Sequence, residues 1–120
     1  MRFMTLVIAA EGQGLPPPSL FEAIAQLERD ARKAGVFVSQ GGLAPTATGT
    51  RVRLSKGQIS VTDGPFTEAK EVVGGFAIFD LKSKEEALEW TRRFMELHKQ
   101  HWPGFEGATE VRQMFEPLSA

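Results

Sequence analysis

The polar segment 61–71 lies between two apolar runs and holds the densest group of side chains that could do chemistry. A sharp turn is expected at its centre, because Gly64 tolerates unusual dihedrals and Pro65 keeps Gly64 out of the helical region. Asp63 precedes this turn and is the candidate catalytic residue, acting as a general base. Alternatively, its carboxylate only caps the turn by accepting hydrogen bonds from backbone N–H groups, which would make it a poor base.

Other side chains near Asp63 could hold a ligand. Phe66 offers an aromatic surface, and Arg51 in the preceding hairpin could clamp a carboxylate or a phenolate. Charged side chains on turns and hairpins are often simply solvated, and that interpretation stays open for Glu68 and Arg51. The predicted ligand-binding residues are Gly64, Pro65, Phe66, Glu68, Lys70 and Arg51.

Two histidines lie near the end of a predicted helix. His98 and His101 would share one face of that helix, where two imidazoles can ligate a metal. Pro103 ends the helix close by and the sequence offers no clear third ligand, so we predict no metal site. Trp90 and Trp102 are expected in packing or at an interface rather than as cofactor platforms. The sequence contains no glycine-rich phosphate-binding motif, and no cofactor is predicted.

Length and composition narrow the class of protein. A chain of 120 residues is expected to form one domain, residues 1–120. Its net charge of −1 provides no broad positive field, which argues against nucleic acid or an acidic membrane as a partner. The sequence has no cysteine, so disulfides and thiolate chemistry are excluded. The apolar run 3–10 is too short to span a bilayer and lacks the features of a signal peptide, so we expect a cytoplasmic protein.

Four segments have the patterns of main β-strands. Residues 3–10 and 76–81 are apolar on both alternating sides, which predicts inner strands that are covered on both faces. Residues 36–40 and 108–115 are expected to be outer strands. Glycines and a proline follow residue 40 and are expected to end the second strand.

Two capping boxes predict where the helices begin. Ser19 starts the first, and an apolar stripe then predicts a helix over residues 20–34. Ser83 starts the second, which precedes another amphipathic pattern. The C-terminal tail, residues 116–120, is expected to be mobile.

Residues 51–62 predict a β-hairpin. If Lys56 and Gly57 form a two-residue turn, apolar residues face apolar residues across the ladder and polar residues face polar ones. The predicted pairs are Leu54 with Ile59, Val52 with Val61, Arg53 with Ser60, and Arg51 with Thr62.

These elements give the order β-α-β-(hairpin)-β-α-β, the split βαβ pattern of an α+β, ferredoxin-like fold. In that fold the first and third main strands are central, in agreement with the two inner-strand segments. The helices cover one face of the sheet, so the other face also needs a cover. We expect a homodimer of the dimeric α/β-barrel type, in which the sheet of a second subunit provides that cover.

The tetrapeptide Asp63-Gly64-Pro65-Phe66, preceded by a hairpin and followed by Gly74-Gly75-Phe76, is typical of one known family. Through these segments the chain resembles the YCII-related domain family, specifically its DGPF subgroup. That resemblance implies a ferredoxin-like domain that dimerises through its sheets and has a cleft near the Asp63–Phe66 loop. It also implies lyase-type chemistry by a His and Asp pair, of which only Asp63 can be carried over, and a link to extracytoplasmic-function sigma factors. The resemblance rests on Asp63-Gly64-Pro65-Phe66, Gly74-Gly75-Phe76, Arg2-Phe3-Met4 and Gly41-Gly42-Leu43-Ala44-Pro45.

Three functions are consistent with these observations, and whether the protein is an enzyme is left open. The leading hypothesis is binding of a small aromatic or carboxylated molecule in a cleft near the 63–66 loop of a homodimer, with lyase-like proton transfer. The alternative is a non-catalytic accessory protein that contacts a sigma factor. The third is a cofactor-independent monooxygenase.

Overall fold

The computed structural model describes residues 1–116, which form two α-helices and six strands. The expectation of a mobile tail concerns mainly residues 117–120, which lie outside the described residues. A short 3₁₀ turn, Thr46–Thr48, stands between the second and third strands. In chain order the elements are β1 (Arg2–Ala9), α1 (Pro18–Lys33), β2 (Phe37–Gly42), β3 (Thr50–Ser55), β4 (Gln58–Asp63), β5 (Val72–Asp80), α2 (Lys84–His101) and β6 (Ala108–Gln113).

Four strands form one antiparallel sheet in the order β2-β5-β1-β6. The strands β1 and β5 are therefore central, as their apolar character on both sides predicted. The two helices and this strand order give the α+β, ferredoxin-like arrangement. The predicted element order, with the hairpin placed before the third main strand, is confirmed.

Side chains alternate between the two faces of the central strands. On the helix-facing side, Phe3 lies opposite Phe79 and is buried in the core with Ala87 of α2. The other side of the sheet faces away from both helices. It carries a row of half-buried apolar side chains, namely Met4, Leu6, Ile8 and Ile78.

The two helices begin in different ways. The predicted capping box at Ser19 is wrong, because α1 starts at Pro18 and no side chain caps it. A proline at the first helical position has no N–H to satisfy and has a preset φ. The helix therefore starts two residues earlier than predicted, and Ser19 lies inside it. The cap at Ser83 is confirmed, since its hydroxyl accepts a hydrogen bond from the Glu86 N–H at 3.2 Å. Neither helix within residues 1–116 is both long and apolar enough to cross a membrane.

The second strand runs further than the sequence predicted. Gly41 and Gly42 do not end β2 but continue it, and they lie opposite Phe76 and Gly75. A Cβ on Gly41 would lie 3.0 Å from the Phe76 ring, so the missing side chain makes room for that ring.

The hairpin has the predicted register throughout, and β3 and β4 form a two-stranded sheet of their own. Its turn has φ 52° at Lys56 and 76° at Gly57, as a tight hairpin turn requires. The hairpin makes at most marginal contact with the other elements. The Cα radius of gyration is accordingly 16.3 Å, against about 14 Å for a compact domain of this length. The apolar side of the hairpin is 66–72% exposed and consists of Val52, Leu54, Ile59 and Val61.

Candidate functional site

Asp63 is the last residue of β4 and lies opposite Thr50, the first residue of β3. Its Oδ1 accepts a hydrogen bond from the Thr50 hydroxyl at 3.1 Å, and the residue is exposed. The contact therefore ties the open ends of the hairpin strands together. The role of Asp63 as a general base stays a prediction.

The 63–66 loop folds against the 3₁₀ turn that follows β2. The Gly64 N–H donates a hydrogen bond to the Gly49 carbonyl at 2.8 Å, and the Gly64–Pro65 peptide bond is cis. A Cβ on Gly64 would lie 1.6 Å from the carbonyl oxygen of Thr46. Only glycine can lie this close to the Thr46 backbone, so packing alone explains the residue type at position 64.

Thr46 joins this loop to the end of β1. Its hydroxyl accepts a hydrogen bond from the Phe66 N–H at 3.2 Å and donates one to the Glu11 carboxylate. Its own N–H donates to the other Glu11 oxygen at 3.0 Å. The side-chain hydrogen bond from Thr46, followed by the backbone one, holds the pKa of Glu11 below its usual value. We refer to Glu11, Thr46, Gly64 and Phe66 as the loop cluster.

Arg51, Phe66 and Glu68, three of the predicted ligand-binding residues, contact one another. The Arg51 guanidinium lies over the Phe66 ring, 4.1 Å from its centroid, and pairs with the Glu68 carboxylate. The hydrogen bond from Arg51 lowers the pKa of Glu68. Arg51 thus already has a carboxylate partner within the chain. Lys70 is exposed and forms no ion pair within residues 1–116.

A cavity of about 560 Å³ lies between the helix-facing side of the sheet and the two helices. Its wall is mainly apolar and aromatic, and none of the predicted site residues lines it. Those residues are also absent from the walls of two further cavities among residues 1–116. Their part in a ligand site stays a prediction. The aromatic wall of the main cavity consists of Phe21, Phe37, Phe79, Trp90, Phe94, Trp102 and Phe105.

The cavity and the loop cluster are connected through the same end of the sheet. Ala9 and Gly42 line the cavity, and the chain reaches Glu11 and Thr46 within a few residues of them. The Leu43 N–H also donates to the carbonyl of Gly74, another cavity residue, at 3.0 Å. The hydrogen bonds of the loop cluster therefore hold in place the two segments that follow Ala9 and Gly42.

His98 differs from His101 in its surroundings. It is only 7% exposed and lines the cavity, whereas His101 does not line it. The two histidines therefore do not act as a pair in this cavity. The helical spacing could have revealed His98, because it continues the inward stripe of Ala87, Thr91 and Phe94 by one further step of four residues.

Glu11 and Thr46 were missed for a different reason. They are 35 residues apart in the chain and meet only because the loop after β2 returns to the end of β1. Neither residue belongs to a motif, and no spacing rule connects them.

Comparisons with known proteins identify the family of this chain. The chain belongs to the YCII-related domain family, whose sequence profile matches residues 1–102. It is also similar to an uncharacterized protein of Rhizobium meliloti (strain 1021), with 36% identity over 69 residues. That match covers 58% of this chain and 56% of the relative, so it spans just over half the length of that protein.

Proposed function

We propose that this YCII-related protein binds a small aromatic molecule in the cavity between its sheet and its helices. The observation that carries the proposal is the cavity itself. Its volume of about 560 Å³ falls in the range of roughly 300–1,000 Å³ that is typical of small-molecule sites. Its wall contains aromatic rings from the sheet, from both helices and from the loop after α2.

The arrangement of these rings favours an aromatic ligand. Phe79 stacks on Trp90 and meets the edge of Phe37, each at a centroid distance of 6.2 Å. Trp102 stacks on Phe105 at 4.7 Å. Aromatic rings attract one another in such stacked and edge-to-face geometries, so a planar ring can join either group.

The charges around the cavity favour an uncharged ligand over a carboxylated one. Among residues 1–116, Glu28 is the one carboxylate on the wall, and no lysine or arginine lies on it. A ligand carboxylate would therefore enter an apolar space without a cationic partner, which is costly. Of the two ligand classes that the sequence suggested, we propose the aromatic one.

Chemistry on that ligand, of the lyase or the monooxygenase type, stays a prediction, as does partnership with a sigma factor. Assignment to the DGPF subgroup is likewise our proposal, and it is supported by the Asp63–Phe66 tetrapeptide.

We further propose that the working unit is a homodimer. This is supported by the exposed apolar side of the hairpin and by the apolar row of Met4, Leu6, Ile8 and Ile78.

Binding can be followed by the protein's own fluorescence, because its two tryptophans, Trp90 and Trp102, both line the cavity. Titration with naphthalene is expected to change their emission in a saturable way. Val7 lies opposite Gly75 in the sheet and both line the cavity, so Val7→Phe extends into it. We expect Val7→Phe to weaken naphthalene binding at least about tenfold, which corresponds to about 1.4 kcal/mol.

The matched control is Leu6→Phe, which adds a ring at the neighbouring residue on the opposite side of β1. It should bind naphthalene as the wild type does. Absence of saturable binding by the wild type, or equal weakening in both variants, would refute the proposal.

A further inference from the structure

His98 is a buried imidazole in an aromatic environment. It is 7% exposed, and its ring centroid lies 4.5 Å from that of Phe94 and 5.1 Å from that of Phe105. Buried polar side chains in folded proteins nearly always have hydrogen-bond partners for their polar atoms. We therefore expect each of the two ring nitrogens of His98 to have a hydrogen-bond partner.

The hydrogen bond at Nδ1 determines what Nε2 can do. Nδ1 lies 3.0 Å from the backbone carbonyl oxygen of Phe94. A carbonyl oxygen can only accept, so Nδ1 donates, and the neutral ring then presents a lone pair at Nε2. His98 is held in this tautomer by a residue one helical turn earlier in α2.

Nε2 has no hydrogen-bond partner among residues 1–116, and part of its surface is accessible. No fully buried side-chain nitrogen or oxygen of these residues lacks a partner, so an unpaired Nε2 retains accessible surface. His98 lines the main cavity, and also a smaller neighbouring cavity that shares Trp102 and Phe105 with it. The smaller one has Lys99 and Glu106 on its wall, whereas the main cavity is the apolar one that we propose as the ligand site.

The hydroxyl hydrogens of the other polar side chains on the main cavity wall are already used. Thr91 donates to the Ala87 carbonyl at 2.8 Å, and Thr109 lies 3.1 Å from the sulfur of Met95. Thr5 donates to the Ala77 carbonyl at 3.5 Å. Gln40, also on this wall, donates to Glu28 at 2.7 Å. His98 lines the same wall and has an unpaired Nε2, so a ligand that carries a donor complements that acceptor.

We infer that His98 Nε2 accepts a hydrogen bond from the ligand, and that the site selects aromatic molecules with an O–H or N–H donor on the ring system. The inference rests on the proposed function and adds the polar group that orients the ligand. An aromatic molecule without a donor fills the same space but leaves the acceptor unpaired. Selectivity then follows from the cost of removing Nε2 from water without replacing its hydrogen bond.

Indole and benzofuran make a suitable pair of probes, because they have the same bicyclic shape and the N–H of one is an oxygen acceptor in the other. We expect calorimetry to show indole binding about tenfold more tightly than benzofuran to the wild type. In His98→Phe, which keeps a ring but removes the acceptor, this preference should fall below about twofold. The control is His101→Phe, which changes the histidine that lies outside the cavity and should keep the preference.

A second measurement needs no variant. In the wild type labelled with ¹⁵N, indole should shift the Nε2 resonance of His98 upfield, as expected when that nitrogen accepts a hydrogen bond, and benzofuran should not. His98→Gln provides a polar replacement and should recover part of the indole preference.

The outcomes separate the two ideas. Equal affinity for both probes, a preference that survives in His98→Phe, or an unchanged Nε2 resonance overturns the inference and leaves the aromatic site in place. If neither probe binds, the proposed function fails and the inference fails with it.

Discussion

Thr46 shows how much of the loop structure depends on one small side chain. Its hydroxyl and its N–H reach Glu11, the same hydroxyl accepts from the Phe66 N–H, and its carbonyl lies against Gly64. The end of β1, the 3₁₀ turn and the 63–66 loop therefore meet at this residue. The residue type at position 64 is explained by this packing without any reference to catalysis, whereas position 66 contributes only its backbone N–H to Thr46.

Gly64→Ala tests this packing. The new Cβ would lie 1.6 Å from the Thr46 carbonyl oxygen, so the backbone of the loop must shift. We expect a loss of about 1–3 kcal/mol in the free energy of unfolding, measured by urea denaturation at a fixed protein concentration.

The control is Gly74→Ala, where an added Cβ has no neighbour within 4 Å. Its free energy of unfolding should stay within about 0.5 kcal/mol of the wild-type value. Equal stability of the two variants would mean that the 63–66 loop does not dock on Thr46 in solution.

The sequence identified only part of this site. Arg51, Phe66 and Glu68 were each predicted as ligand-binding residues, but their contacts with one another were not predicted. Glu11 and Thr46 depend on contacts between distant segments. Helical spacing places His98 on the inward side of α2, but it does not show that a cavity lies beside that side of the helix.

At the scale of elements, the two helices show when a capping box in the sequence correctly predicts the first residue of a helix. Both sequences matched a capping box, but the proline before Ser19 provides a competing start, whereas nothing competes with Ser83. Two neighbouring signals for one helix start cannot be ranked by spacing alone. The hairpin register, in contrast, was predictable because side-chain chemistry and turn type point to the same pairing.

Two matched substitutions test these helix starts. Ser83→Ala removes the hydroxyl that accepts from the Glu86 N–H and should lower the free energy of unfolding by about 1 kcal/mol. Ser19→Ala removes no cap and should change it by less than about 0.5 kcal/mol. Thermal and urea denaturation of both variants would measure the difference. A larger loss for Ser19→Ala would show that the first helix is capped as its sequence suggested.

At the scale of the whole molecule, the exposed apolar side of the hairpin needs explanation. A two-stranded hairpin is marginally stable in water unless it packs on something else. A second copy is the one partner that is present whenever this chain is made. That copy also offers the apolar row of Met4, Leu6, Ile8 and Ile78, so we propose it as the occupant of both surfaces.

Association of two copies can be tested by sedimentation. We expect the wild type to sediment with twice the mass of the chain, because the apolar side chains of the hairpin are 66–72% exposed in a single copy. Replacing both Leu54 and Ile59 by Glu places charges on that side and should shift the protein toward the monomer.

The matched control replaces Arg53 and Ser60 by Glu. These two residues also lie opposite each other, on the polar side of the same strands. Both double variants place two carboxylates across the ladder, so a difference between them reports the apolar side alone. A monomeric wild type, or equal dissociation of the two variants, would contradict the homodimer.

The separation of the hairpin from the four-stranded sheet has a consequence for amide hydrogen exchange. The strand β1 is bonded along both edges, so its amides take up deuterium only when the main sheet opens. The amides of β3 and β4 exchange through a local opening that leaves β1 intact. Protection in residues 2–9 therefore reports the stability of the fold, whereas protection in residues 50–63 that increases with protein concentration reports association.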